Sequence, residues 1–121
     1  MHVTGILLAA GRARRFGAPK LLHPLADGTP VGVAAARNLI RAVPHSVAVV
    51  RPGDRDLITA LSGAGLTIVE NQLADQGLGT SLAAGVRATV NAGGWLVTLA
   101  DMPWVDPSTI RRLADGLSHG A

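Results

Sequence analysis

Short apolar runs alternate along the chain with segments whose apolar residues have helical spacing. The apolar runs predict four strands, over residues 2–8, 46–50, 66–70 and 95–99. The helical spacing predicts four helices, over residues 30–43, 54–62, 79–90 and from the Asp106-Pro107 pair onward. Strands that alternate with helices favour an α/β fold, in which helices cover both faces of a parallel sheet.

The loops at one edge of such a sheet are the expected location of a ligand site. Because strand-to-helix connections are right-handed, the carboxyl ends of the strands meet at one edge, and ligands bind outside it. The loops predicted to lie at this edge cover residues 9–22, 51–54, 71–78 and 100–106. Functional side chains are therefore expected in these four loops.

The length and composition of the chain limit its fold and its location. At 121 residues it can form one domain with a hydrophobic core, but not two. Its content of 48% hydrophobic and 16% charged residues argues against disorder. The apolar runs are too short for a membrane span, and we expect no signal peptide. The absence of cysteine excludes disulfides and thiolate metal sites, and we expect a cytoplasmic location.

The net charge of +3 could indicate a nucleic-acid partner. The basic residues are scattered, however, apart from Arg12, Arg14 and Arg15, and only three residues are aromatic. The sequence therefore offers neither a clear basic patch nor many side chains on which bases could stack, and we expect no nucleic-acid partner. Ten of the eleven cationic residues are arginine, which draws attention to the single lysine, Lys20.

The loop after the first predicted strand combines small residues with basic ones. Its Ala9-Ala10-Gly11 turn lets backbone N–H groups approach a base or a phosphate closely. Arg15 and Lys20, further along this loop, are two cations suited to triphosphate oxygens. A surface loop with ordinary basic residues is the alternative interpretation. The loop lacks the Gly-Lys-Ser/Thr ending of a P-loop.

A second candidate segment, residues 71–86, enters the third predicted helix through a glycine-rich turn. Such a turn allows close approach of a ligand, and the N-terminus of a helix attracts anions. In the alternative interpretation, Ser81 only caps the helix and Gly85 only permits close packing. The turn does not match a dinucleotide-binding fingerprint, because leucine stands in place of its third glycine.

Asp101 follows the last predicted strand at the same edge of the sheet. A carboxylate would be costly there if it were buried without a partner. As a hard oxygen ligand it suits Mg²⁺, which keeps several waters and bridges substrate phosphates. A turn aspartate near Pro103 is the alternative. The histidines lack metal-ligand spacing, and no serine, histidine and carboxylate grouping indicates hydrolysis.

Three segments together resemble the MobA/MocA-like family of molybdenum cofactor nucleotidyltransferases. They are Leu8 to Gly11 with Arg15-Phe16-Gly17 and Lys20, then Gly79-Thr80-Ser81-Leu82, and finally Asp101-Met102-Pro103. The segments follow the family's order in matching strand and helix contexts, and the resemblance covers nearly all of the chain. The first segment is more similar to the cytidylyltransferase branch, whereas the third is commoner in the guanylyltransferase branch.

The resemblance implies a three-layer α/β/α fold with a mainly parallel sheet, the Rossmann-like fold of nucleotidyltransferases and nucleotide-diphospho-sugar transferases. The residues that it implies for nucleotide binding are Leu8, Ala9, Ala10, Gly11, Arg15, Lys20, Asn71, Gly79, Thr80 and Ser81. Among these, Asn71 is a weaker candidate, as is Asp75 nearby. Arg15 and Lys20 would meet the phosphates and act in catalysis, and Asp101 would bind catalytic Mg²⁺.

The implied reaction transfers a nucleotidyl group from a nucleoside triphosphate to a phosphate-bearing acceptor such as molybdopterin, and releases pyrophosphate. CTP is the favoured donor, and GTP is the alternative. A guanylyl or sugar-phosphate transferase and a non-catalytic nucleotide-binding module are the competing hypotheses, and no membrane partner is expected. Because family members are usually longer, we expect residues 1–121 to form a single NTP-transferase domain that holds the nucleotide-binding portion. The C-terminal acceptor portion and a second metal-binding carboxylate would then be missing.

Overall fold

The computed structural model describes residues 2–11, 14–15 and 18–118. Its strands are β1 (Val3–Ala9), β2 (Arg14–Arg15), β3 (Ala18–Pro19), β4 (Ser46–Val50), β5 (Thr67–Glu70) and β6 (Gly94–Leu99). Its helices are α1 (Val31–Ala42), α2 (Arg55–Gly63), α3 (Leu78–Ala88) and α4 (Pro107–Ser118). Short 3-10 turns cover Lys20–Leu22 and Ala74–Gln76.

Four of these strands form a sheet in the order β5-β4-β1-β6, and each neighbouring pair is parallel. The four predicted strands and four predicted helices are therefore confirmed, with ends that differ from the predictions by one or two residues. The sequence pattern missed the β2–β3 hairpin, because two-residue strands are too short to show a periodicity.

The two central strands, β1 and β4, are apolar at nearly every position because helices cover both of their faces. Leu7 and Ala9 belong to a core with residues of α1, α2 and α4. Ile6 and Leu8 point to the opposite face, where they share a second core with Ala84 of α3. The expected three-layer α/β/α arrangement is thus confirmed. Among the described helices, none is long and apolar enough to cross a membrane.

The aspartates that precede α4 and α2 differ in whether their side chains cap the helix. Oδ1 of Asp106 accepts hydrogen bonds of 2.7 Å from both the backbone N–H and the hydroxyl of Ser108, which starts α4 as expected. The bonds from Ser108 hold the pKa of the Asp106 carboxyl below its usual value. Asp54 also precedes its helix, α2, but its side chain makes no capping hydrogen bond.

Helix α3 packs very closely on the sheet at Gly85. A Cβ atom at this position would lie 2.9 Å from Cγ2 of Ile6 and 3.2 Å from Cγ2 of Val49, which is closer than side chains tolerate. Both neighbours are buried in the core, so they have little room to move away. This agrees with the packing interpretation of Gly85 and fixes the distance of α3 from the strands.

We expect Gly85→Ala to lower the free energy of unfolding by about 1–3 kcal/mol, since it overpacks this contact. Gly63→Ala is the matched control, because Gly63 is also helical and a Cβ atom there would meet nothing within 4 Å. The control should be neutral or slightly stabilising. Urea denaturation of both variants measures the difference, and equal stabilities would contradict the packing role.

Candidate functional site

The register of the sheet brings the ends of its four strands to the same level. Ala9 pairs with Val50, and Val50 with Glu70, while Leu8 pairs with Leu99 on the other side. Hydrogen bonds from Asn71 N to Val50 O (2.9 Å) and from Ala100 N to Leu8 O (3.1 Å) extend these ladders. Ala10, Arg51 and Asn71 directly follow β1, β4 and β5, and Asp101 follows β6 after Ala100, so these four residues share one edge of the sheet.

A cavity of about 250 Å³ opens at this edge. Its described lining residues are Leu8, Ala9, Ala10, Gly11, Leu21, Leu78, Leu99 and Asp101. The structure therefore brings together the two parts of the sequence prediction that lie farthest apart in the chain, the loop after β1 and the aspartate after β6. Mostly apolar walls with one carboxylate at the rim are typical of a small-molecule site.

Lys20 lies beside this cavity, with its Nζ 3.8 Å from Oδ2 of Asp101. The 3-10 turn that holds Lys20 is anchored by the next residue, Leu21, which is buried against α1. About two fifths of each charged side chain is exposed, at 39% for Lys20 and 42% for Asp101. Such a pair contributes little to stability, so a charged ligand can separate the two groups at low cost.

The donor set at Asp101 fits a metal ion that arrives with phosphates rather than one held by protein alone. The described residues contain no group of three or more side chains able to bind a metal ion together. Within the described chain the carboxylate of Asp101 has an ion pair with Lys20 but no hydrogen bond, so its oxygens stay available. Mg²⁺ is commonly bound by one or two carboxylates together with substrate phosphates and water.

A second cavity, of about 320 Å³, adjoins the first. The two share Ala10, Gly11 and Leu78 as lining residues. The other described residues that line the second cavity are Arg51, Ala74, Asp75, Gly77 and Ser81. The loop after β1 therefore forms the border between two compartments, one beside Asp101 and one beside Arg51.

Asn71, Thr80 and Ser81 are brought together as the sequence predicted, but their side chains bind one another. Nδ2 of Asn71 donates to Oγ1 of Thr80 (3.0 Å) and to Oγ of Ser81 (2.9 Å), while its Oδ1 accepts from the N–H of Leu73 (3.0 Å). Asn71 is 3% exposed. These bonds connect the residue after β5 to the first turn of α3, where Ser81 lines the second cavity.

Four of the predicted nucleotide-binding residues line neither cavity, namely Lys20, Asn71, Gly79 and Thr80, whereas Ser81 lines the second. The side chain of Arg15 lies outside the described part of the structure. Direct binding of nucleotide by these residues stays a prediction.

Sequence reasoning missed Arg51. Its Nη1 donates to Oδ1 of Asp75 at 2.6 Å, and only 21% of its side chain is exposed. The sequence predicts functional side chains in the loop over residues 51–54, but its pattern does not single out Arg51. The signal that could have identified Arg51 is its place directly after the second predicted strand, β4, at the same edge as Gly11 and Asp101.

Comparison with known proteins agrees with the sequence resemblance. A family model described as the MobA-like NTP transferase domain matches residues 5–121. A nicotine blue oxidoreductase of Paenarthrobacter nicotinovorans is 35% identical over 92% of this chain and 55% of its own length. A molybdenum cofactor guanylyltransferase of Rhodobacter capsulatus is 32% identical over 94% of this chain and 58% of its own.

Among solved structures, a nucleotidyl transferase of Methanothermobacter superimposes with a TM-score of 0.80 at 34% identity. The match covers 94% of this chain and 57% of that one. The chain thus spans little more than half the length of these relatives.

We expect Asn71→Ala to lower the free energy of unfolding by on the order of 1–3 kcal/mol, because the buried hydroxyl of Ser81 and the partly buried hydroxyl of Thr80 each lose a hydrogen bond. Asn91→Ala is the matched control, since Asn91 is exposed, and it should change stability by less than about 0.5 kcal/mol. Thermal or urea unfolding of both variants tests this. Equal stability of the two would show that the network around Asn71 does not hold the turn.

Proposed function

Because the chain belongs to the family of MobA-like NTP transferase domains, we propose that it acts in nucleotidyl transfer. In the proposed reaction, a phosphate oxygen of the acceptor attacks the α-phosphorus of a nucleoside triphosphate. The bond from the α-phosphorus to the bridging oxygen breaks, and pyrophosphate leaves. The products are the nucleotidylated acceptor and pyrophosphate.

The observation that carries this proposal is the position of Lys20 and Asp101. They come from opposite ends of the described chain, yet their charged atoms lie 3.8 Å apart beside the cavity lined by residues 8–11. Negative charge moves onto the leaving phosphates during such a transfer, and catalysis consists mainly of positioning and charge stabilisation. We therefore assign Lys20 to those phosphates and the backbone of the loop after β1 to the orientation of the nucleotide.

Asp101 is the residue that would hold Mg²⁺. When bound, the ion would neutralise phosphate charge and polarise the phosphorus–oxygen bonds. With cation and phosphates bound, the carboxylate of Asp101 would hold the cation and the ammonium of Lys20 would bind the phosphates, so the ion pair between the two residues would be replaced. Arg15 is a second phosphate-binding cation in this proposal, on the sequence resemblance alone.

CTP is the proposed donor and molybdopterin the proposed acceptor. The Ala9-Ala10-Gly11 and Gly79-Thr80-Ser81-Leu82 segments support CTP, since both resemble the cytidylyltransferase branch. GTP is the second candidate, favoured by Asp101-Met102-Pro103 and by the similarity to a protein named as a molybdenum cofactor guanylyltransferase. A sugar phosphate is the alternative acceptor.

A non-catalytic nucleotide-binding module is the competing proposal; the chain covers 55% and 58% of the length of the two curated relatives compared above. One relative is named an oxidoreductase, so release of pyrophosphate is the property that separates nucleotidyl transfer from another use of this fold. The cytoplasmic location expected from the sequence stays a prediction.

In the presence of Mg²⁺ and molybdopterin, we expect the chain to release pyrophosphate faster from CTP than from GTP. Asp101→Asn should abolish this release and Mg²⁺-dependent nucleotide binding, because the amide replaces the anionic ligand. Since the Lys20 pair is exposed, the variant should keep its stability within about 0.5 kcal/mol. A coupled pyrophosphate assay and thermal unfolding measure both effects. Nucleotide binding by the wild-type chain without pyrophosphate release would favour the non-catalytic module.

Lys20→Ala should weaken triphosphate binding by on the order of 1.5–3 kcal/mol, the usual size of a charge-assisted hydrogen bond. Binding of the monophosphate should weaken much less, because Lys20 is assigned to the β- and γ-phosphates. Lys20→Arg should also bind less well, since the wider guanidinium does not replace a compact ammonium. Calorimetric titrations with CTP and CMP test this. Equal losses of affinity for both ligands would show that Lys20 does not bind the β- and γ-phosphates.

A further inference from the structure

A third cavity, of about 320 Å³, lies at the amino edge of the sheet, opposite the carboxyl edge. It opens where β1, β4 and β5 begin and where α3 ends. The residues that line it include His2, Thr4 and His45, together with the segment 88–92. The proposed function uses none of these residues, so the cavity is a candidate for a second role.

Two histidines, His2 and His45, contact each other at this cavity. Their ring centroids lie 4.6 Å apart, and the ring planes meet at 61°. Neither imidazole makes a hydrogen bond within the described part of the chain, so the ring nitrogens are available to a ligand. The main chain holds both residues in place, because His2 O accepts from Gly93 N (2.7 Å) and His45 O accepts from Gly5 N (2.9 Å).

One metal ion can bridge two rings at this separation. An ion about 2.1 Å from one nitrogen of each ring, with an angle of about 90–110° between the two bonds, places the ring centroids roughly 4.6–5.3 Å apart. The observed 4.6 Å lies at the short end of that range. Both side chains are exposed, so small rotations can turn two nitrogen lone pairs toward a shared ion.

The charges around the cavity favour a transition-metal ion over an anion or Mg²⁺. Ala88, the last residue of α3, lines the cavity, and the C-terminus of a helix carries a partial negative charge that attracts cations. An anion would favour positive charge on both rings, which lie in contact and would then repel each other. None of the described lining residues is acidic, so the hard oxygen ligands that Mg²⁺ prefers are missing. Imidazole instead suits Zn²⁺, Cu²⁺ and Ni²⁺.

Thr4 supplies a polar group for the water ligands of such an ion. It is 6% exposed and lines the cavity, and its hydroxyl makes no hydrogen bond within the described residues. Buried polar groups without a partner are uncommon. Two imidazoles leave coordination positions of the ion to water, and a metal-bound water can donate to Oγ1 of Thr4. Outer groups that hold metal ligands in this way raise the affinity for the metal.

We propose that His2 and His45 bind a divalent transition-metal ion of the Zn²⁺ class, and that Thr4 holds one of its water ligands. The site is separate from the proposed nucleotide site, because the two lie at opposite edges of the sheet. The sequence pattern could not indicate it, since His2 and His45 become neighbours only when β1 pairs with β4.

Calorimetric titration with ZnCl₂, in the presence of excess Mg²⁺, tests the site. We expect wild-type protein to bind one Zn²⁺ ion there, and His2→Ala and His45→Ala each to lose affinity by at least about tenfold. Thr4→Val keeps the shape of the buried side chain but removes its hydroxyl, so it should weaken Zn²⁺ binding by about three- to tenfold. His23→Ala is the matched control, because His23 does not line the cavity, and its Zn²⁺ affinity should stay within about twofold of wild type.

Thermal unfolding without Zn²⁺ shows whether each variant folds, and Thr4→Val decides the question if an alanine variant does not. Zn²⁺ should raise the melting temperature of wild type and His23→Ala, but not of His2→Ala or His45→Ala. Unchanged Zn²⁺ affinity in the variants at the cavity, or an equal loss in His23→Ala, would overturn the inference. Inorganic phosphate is the alternative ligand. NMR shifts of the His2 and His45 rings with phosphate but not with Zn²⁺ would overturn the inference as well.

Discussion

The parallel pairing of four strands in one register is the constraint on which this molecule depends. Each strand end contributes one residue to the same edge, namely Ala10, Arg51, Asn71 and Asp101. Backbone hydrogen bonds from Asn71 N to Val50 O (2.9 Å) and from Ala100 N to Leu8 O (3.1 Å) extend the strand pairing to this edge. A shift of one strand by a residue would turn its core side chains to the opposite face of the sheet and move its functional residue out of line. The hydrophobic core and the site are therefore fixed by the same pairing.

Close packing of α3 connects the core to the ligand-binding loops. The absence of a side chain at Gly85 lets α3 lie directly on Ile6 and Val49 of the sheet. At the start of the same helix, Ser81 is bound by Asn71, which follows β5. The glycine-rich turn is thus held between the sheet and the helix. Gly77 and Leu78 of this turn line the same cavity as Gly11 and Arg51.

Much of the fold was predictable from the sequence, because its strands and helices have clear apolar periodicities. Of the predicted site residues, Lys20 and Asp101 lie 3.8 Å apart at the carboxyl edge of the sheet, and their binding roles stay predictions. The β2–β3 hairpin was missed, since its strands are too short for a pattern. Arg51 was missed because arginine is common in this chain, and only the tertiary pairing with Asp75 distinguishes it. The same lack of tertiary information hid the mutual bonds of Asn71, Thr80 and Ser81.

Backbone amide NMR with added Mg²⁺ and CTP tests most directly whether the carboxyl edge of the sheet is the nucleotide site. We expect the amides of Gly11, Arg51, Asn71 and Asp101 to shift together with one saturation curve. A cavity of about 320 Å³ at the opposite end of the sheet, lined by residues that include Thr4, His45 and Thr67, provides the internal comparison. Amides there should not respond to the nucleotide. Shifts confined to Thr4, His45 and Thr67, with none at the strand ends, would contradict a nucleotide site at the carboxyl edge.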